Sequence, residues 1–248
     1  MGGYGASDSC VVNPWHHPAV HTHRGRTTFF AAGVMALAAQ MMLLTTSIAR
    51  ADACPPDVHV VYARGTDTIP PVDTVGQALV NAMSAQLPGK KTLSVYGINY
   101  PANLDLSGGT TTGATDGWVH VENLVAACPA THVVLSGYSQ GGADVIDLLT
   151  ATSGAAFGTP PTPPMPDAVA GHVAAVVVFG NPSRKMGGGP LPGRSPLYGG
   201  KALDVCLTGD PICSNGADLL AHSRYVSSGG VVKQAAQFAV SRLTSAAG

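Results

Sequence analysis

Ser139 stands in Gly137-Tyr138-Ser139-Gln140-Gly141, with glycine two residues before it and two after it. A serine hydroxyl attacks a carbonyl only when an imidazole takes its proton, an acid orients that imidazole, and N–H groups receive the oxyanion. Two histidines follow Ser139 in the chain, His172 and His222. His172 immediately precedes an apolar run, 173–179, that reads as a strand, so it belongs at the amino-terminal edge of a sheet. His222 falls in an expected loop, 219–225, beyond the last strand. For the acid, Asp210 lies in Thr208-Gly209-Asp210-Pro211, inside the interval closed by Cys206 and Cys213. Asp204 reads as a solvated strand-edge residue and Asp218 as a helix cap. The N–H of Gln140, directly after the serine, is one oxyanion donor; Thr66, in Ala63-Arg64-Gly65-Thr66-Asp67, offers an N–H and a hydroxyl as the second.

These residues need a scaffold that gathers them. Runs at 58–63, 93–100, 132–135, 173–179 and 202–207 read as strands. Helical spacing of apolar residues occurs at 72–87, ending at Pro88-Gly89, and again at about 116–127, 143–149 and 231–243. Strands alternating with helices pair in parallel through right-handed crossovers, with helices covering both faces. The expected architecture is one three-layer α/β domain. In such a sheet the loops at the carboxyl ends of the strands meet along one edge, where ligands bind. Ser139 sits on that edge, at the joint between a strand and a helix, and the chain order serine, acid, histidine is that of α/β-hydrolase-type enzymes. The Gly/Pro-rich stretches at 159–166 and 183–200 read as surface excursions.

The remaining chain narrows the class. With 45% hydrophobic and 11% charged residues and a formal net charge of -1, nothing favours nucleic acid as a partner. Arg24 and Arg26 precede an apolar run, 29–48, followed by Ala49-Arg50-Ala51, the pattern of a secretory signal cleaved after Ala51. Residues 1–51 are therefore read as a leader and 52–248 as the folded domain, secreted to the extracellular space or associated with the cell envelope; an uncleaved membrane anchor is the competing reading. His16, His17, His21 and His23 would leave with the leader, and no metal role is assigned to them. Removing the leader leaves Cys54, Cys128, Cys206 and Cys213, an even set that in an exported chain reads as two disulfides. Of the three pairings, Cys206 with Cys213 is the local choice, which leaves Cys54 for Cys128. No Cys-x-x-Cys is present, and the spacings match no common zinc site.

Cys54-Pro55, Ala63-Arg64-Gly65-Thr66, the Gly137–Gly141 pentapeptide, Phe179-Gly180-Asn181-Pro182, Asp210-Pro211-Ile212-Cys213, and His222 with Tyr225 occur in that order. With them the sequence resembles the cutinase family, specifically its secreted bacterial cutinase-like serine esterases. The resemblance implies an α/β/α sandwich around a central, mainly parallel five-stranded sheet, two disulfides, and a nearly lidless site for carboxylic esters, from short acyl esters to lipids or polyesters such as cutin. It implies Ser139 as nucleophile, Asp210 as acid, His222 as base, and Thr66 with Gln140 as the oxyanion hole, with no cofactor or metal. The expected protein is a monomer whose partners are ester or lipid substrates and, peripherally, lipid surfaces. Fungal members usually have serine where Thr66 stands, and the branched Cβ of threonine restricts that hydroxyl; Gly142 replaces an alanine often found after the pentapeptide. Phospholipases, thioesterases and acyltransferases that use a lipid alcohol share the same triad. A non-catalytic exported lipid-binding protein is the reading from another class, and the intact serine, acid and histidine speak against it.

Overall fold

Five runs of β-branched and apolar residues pair edge to edge: β1 (Val58–Ala63), β2 (Leu93–Gly97), β3 (His132–Tyr138), β4 (Val173–Phe179) and β5 (Ala202–Val205). The computed structural model describes residues 54–55, 57–150, 157–158, 165–186 and 188–245. The chain divides into Met1–Ala49 and Arg50–Gly248. The expected leader with its histidines, the apolar run 29–48, and most of the 159–166 loop lie outside the described residues. Among the described residues no helix is long and apolar enough to cross a membrane.

The strand order is β2-β1-β3-β4-β5 and every pairing is parallel. Every residue of β1 and β4 is buried, as expected for strands covered on both faces. Alternation along β1 divides the core: Val58, Val60 and Tyr62 point to one face, Val61 and Ala63 to the other. On the first face lie α1 (Thr74–Ser84), through Val75, Leu79 and Met83, and α6 (Val231–Ser245), through Ala235, Ala236, Ala239 and Leu243. On the second lie α2 (Leu106–Ala127), through Val121 and Leu124, α3 (Ile146–Thr150), through Ile146 and Leu149, and the short α4 (Asp167–Ala170), through Val169 and Ala170.

The elements differ from the periodicity in instructive places. Helix α1 starts later than 72 because Asp73 caps it, its carboxylate accepting from the N–H groups of Val75 and Gly76. Helix α2 begins at Leu106, well before 116. Its first turns are Gly- and Thr-rich, poor in helix propensity, yet Gly109, Thr110, Gly113 and Ala114 form a small buried face that packs tightly. The 183–200 stretch is not a plain surface excursion, since it buries Leu191, Arg194, Ser195 and Tyr198. Arg194 donates to Asp147 of α3 in a buried ion pair; burial pushes the Asp147 carboxyl up to about 6, against the pull of Arg194. Asp204 is likewise not a solvated edge residue. Its Oδ2 accepts from Asn181 Nδ2 at 2.8 Å and Leu191 N at 2.9 Å, tying the stretch to β5. Both bridges form, Cys54–Cys128 and Cys206–Cys213.

Candidate active site

Strand β3 delivers Ser139 into a sharp turn at φ 53, a left-handed conformation that costs energy for a residue with a Cβ. The Ser139 N–H is anchored on Phe179 O at 2.9 Å. Beyond Gln140, Gly141–Val145 form a π-helical turn that leads into α3. The flanking glycines are demanded by contact: a Cβ at Gly141 would lie 2.3 Å from the carbonyl oxygens of Ala63 and Arg64, and one at Gly137 would lie 2.7 Å from the Gly141 carbonyl.

His222 sits on a short helix, α5 (Leu219–Ser223), where the sequence suggested a loop; Asp218 caps it, as read, by accepting from Leu220 N. His222 Nε2 is 2.8 Å from Ser139 Oγ, and its Nδ1 is 2.9 Å from Asp210 Oδ2. His172 lies away from this group, its Nδ1 3.2 Å from Pro129 O at the opposite sheet edge. The imidazole is held on its other sides by Tyr138, whose ring stacks on it at 5.0 Å and whose hydroxyl donates to His222 O at 2.6 Å. Asp210 is fully buried, and such a charge is tolerated only when it is hydrogen-bonded. Ile212 N donates to Oδ1 at 2.8 Å, and the Tyr225 hydroxyl donates to Oδ2 at 2.7 Å beside the imidazole. Burial, then the bond to Asp210, pushes the Tyr225 phenol above its ordinary range, so it stays protonated and remains a donor. Tyr225 had no assigned role from sequence; its place three residues beyond His222 does not name its partner.

Thr66 and Gln140 also meet at the serine. Thr66 Oγ1 lies 3.0 Å from Gln140 Oε1, and the Gln140 N–H is at a helix start, where it lacks an intrahelical acceptor. Gln140 Nε2 is buried and has no hydrogen-bond partner among the described residues. A half-turn of the Gln140 side-chain amide lets Nε2 donate to Thr66 Oγ1 and frees the threonine proton for another acceptor. The loop bearing Thr66 is pinned from both sides. Arg64 Nη2 donates to Tyr100 O at 2.7 Å and Pro101 O at 3.0 Å, while Gly65 N donates to Asp73 Oδ2 at 2.8 Å. Arg64 and Asp73 carry no local signature as supports, because the backbone atoms they bond here are brought near only by the fold.

A cleft of about 440 Å³ opens at Ser139, walled by Thr66, Leu104, Phe157, Met186 and Ile212. Among the described residues no group of three or more His, Cys, Asp or Glu is placed to hold a metal ion.

The cutinase family model matches residues 53–243. The chain belongs to the cutinase family. It is 44% identical over 200 residues to Carboxylesterase Culp1 of Mycobacterium tuberculosis, covering 79% of this chain and 85% of that protein. It is 42% identical over 233 residues to Phospholipase Culp4 of the same organism, covering 91% and 99%. Among solved structures, Trichoderma reesei cutinase in complex with a phosphonate inhibitor aligns at TM-score 0.60 and 29% identity, covering 77% of this chain and 78% of that one. An acetyl xylan esterase aligns at TM-score 0.63 and 25% identity, covering 76% and 99%. The five-stranded parallel sheet between helical layers is the family fold, and this cutinase-family protein is a carboxylic ester hydrolase acting on ester or lipid substrates.

Proposed function

We propose that the protein is a secreted serine esterase that works through an acyl-enzyme on Ser139. The observation that carries this reading is the continuous chain from Ser139 Oγ to His222 Nε2 and from His222 Nδ1 to Asp210 Oδ2, at 2.8 and 2.9 Å. His222 takes the hydroxyl proton as Oγ bonds to the ester carbonyl carbon; the tetrahedral intermediate then expels the alcohol, which receives that proton. Water repeats the sequence on the acyl-enzyme, releasing the acid and restoring Ser139. Asp210 holds the imidazole in the tautomer with the proton on Nδ1 and stabilises the imidazolium, without itself being protonated. The N–H groups of Gln140 and Thr66 receive the oxyanion, and the Thr66 hydroxyl joins them when the Gln140 amide donates to it.

The apolar walls of the cleft favour an acyl chain, and Leu104 and Met186 are largely exposed at its mouth. Leu219 and Leu220, next to His222, are exposed as well. This apolar rim supports short to medium acyl esters and lipids as substrates, with peripheral contact at a lipid surface. Two disulfides and the leader pattern in 1–51 support export. Ser139→Ala is expected to abolish hydrolysis of 4-nitrophenyl esters of graded acyl length while leaving thermal unfolding unchanged. Undiminished hydrolysis by that folded variant would overturn the mechanism.

A further inference from the structure

Beside the cleft, the segment carrying Arg184 and Lys185 and the segment after Asp210 enclose a second groove of about 330 Å³. Its walls are Arg184, Lys185 and Pro190 on one side and Cys213, Ser214 and Asn215 on the other. Lys185 lines this groove and also the cleft at Ser139, so the two spaces adjoin there. A molecule whose ester sits at Ser139 and whose far end extends past Lys185 would enter the second groove.

The polar groups of this groove are donors with capacity to spare. Arg184 engages Asp204 through Nη1 alone, at 3.4 Å, and its Nε and Nη2 meet no acceptor among the described residues. Lys185 Nζ spends one N–H on Pro211 O at 2.7 Å and pairs with no carboxylate among the described residues. The nearby acids are committed elsewhere. Asp204 is bonded to Asn181, Leu191 N and Arg184, and Asp210 is buried beneath His222 and Tyr225; neither lines the groove. Two cations facing an amide across a groove whose lining holds no carboxylate favour an anion, and the planar guanidinium fork suits an oxyacid in particular. Next to it the cleft walls are Leu104, Phe157, Met186 and Ile212, which suit hydrocarbon.

We propose that this groove is an anion subsite: it receives a phosphate or other oxyacid group carried by the ester substrate, so that the enzyme selects anionic amphiphilic esters over neutral ones. The inference rests on the reading of Ser139 as nucleophile, and the experiment separates the two. Monobutyrin and 1-butanoylglycerol 3-phosphate present the same acyl ester and differ by one phosphate; released butyrate is titrated for both. The wild type is expected to prefer the phosphate-bearing ester in kcat/KM by about fivefold, the upper size of an exposed ion pair. Lys185→Gln should erase most of that preference, Arg184→Lys should weaken it while keeping the cation at Asp204, and about 0.5 M NaCl should erase it in the wild type. A preference that is the same in wild type and in both folded variants overturns the subsite.

Inorganic phosphate distinguishes the source of the anion. Inhibition of the phosphate ester's hydrolysis that is relieved in Lys185→Gln means the groove also takes free phosphate. No inhibition, with the preference intact, means it reads the anion only when attached to the ester. Equal inhibition of wild type and Lys185→Gln places the anion elsewhere and overturns the proposal. Ser139→Ala on monobutyrin tests the underlying reading: hydrolysis surviving in that variant removes the nucleophile, whereas charge-blind hydrolysis that depends on Ser139 removes only the subsite.

Discussion

Gly180, at the end of β4, lies directly under the imidazole of His222, and Gly180→Ala probes how closely that ring must be held. Its backbone has φ +61, where an L-residue costs about 1–2 kcal/mol. An added Cβ would lie 2.8 Å from His222 Cε1, 3.1 Å from Nδ1 and 3.3 Å from the Tyr225 hydroxyl. Carbon atoms rest at roughly 3.5 Å or more, so the ring must retreat by about 0.7 Å or the backbone must shift as far. The imidazole has no slack to absorb this, since Ser139 and Asp210 hold its two nitrogens at 2.8 and 2.9 Å. Misplacement on the order of 1 Å costs about a hundredfold in rate. The expected outcome is a fall of about 30- to 100-fold in kcat on 4-nitrophenyl butyrate, with about 1–2 kcal/mol lost in urea unfolding. Gly89→Ala is the control: its φ is +68, but no atom of the described residues lies within 4 Å of the added Cβ, so it should lose similar stability and keep its activity. A folded Gly180→Ala enzyme with near-normal kcat, or an equal loss of activity in Gly89→Ala, would show that the ring does not need to be held this closely.

Tyr225→Phe removes one donor from buried Asp210 and should lower kcat about five- to tenfold with little change in KM; an unchanged kcat would show that Ile212 N and His222 suffice to hold the carboxylate. Each bridge has one buried cysteine, Cys128 or Cys213, but Cys54 is exposed whereas Cys206 is half-buried, so graded reduction should open Cys54–Cys128 first without loss of turnover, and activity should fall only when mass analysis shows Cys206–Cys213 opened around Asp210. Equal activity after both bridges open would contradict this. Away from the site, His59 Nε2 lies 2.9 Å from His120 Nε2, and burial, then the neighbouring His120, lowers the His59 pKa from 6.5 to about 4. The unfolded chain therefore binds the proton first as pH falls: this contribution to stability is complete above about 6.5 and is lost towards 4, on the order of 3 kcal/mol in all. Tyr96, stacked on His120, and Asp116, bonded to Tyr96, are the other titratable groups at this pair. Urea midpoints at pH 7.5 and 4.5 should show a smaller acid loss in His59→Gln than in wild type, and parallel losses would show that the pair is not the sensor.

Local sequence was most informative where a single physical demand acts on neighbouring residues. The all-apolar run of β4 marks a strand with both faces covered, and Gly137 and Gly141 mark a turn that admits no side chain. It was least informative where packing overrides propensity. The Gly- and Thr-rich start of α2 is helical because its small face fits the core, and the 183–200 stretch is buried because Asp204 and Asp147 receive Leu191 N and Arg194 from it. Neither acid has a local signature for that role.

From sequence alone came the residue types, their order and the class of chemistry: a serine between glycines, a later aspartate between two cysteines, and a histidine beyond them. Distance was decided by the tertiary structure. Ser139 and His222 are 83 residues apart in the chain and 2.8 Å apart in space because the parallel register of β3, β4 and β5 brings three separate loops to one sheet edge. The same register places Tyr225 on Asp210, Asp73 under the Thr66 loop, and Lys185 between two grooves. Such contacts join residues through space, and a pattern read along one chain has no term for them.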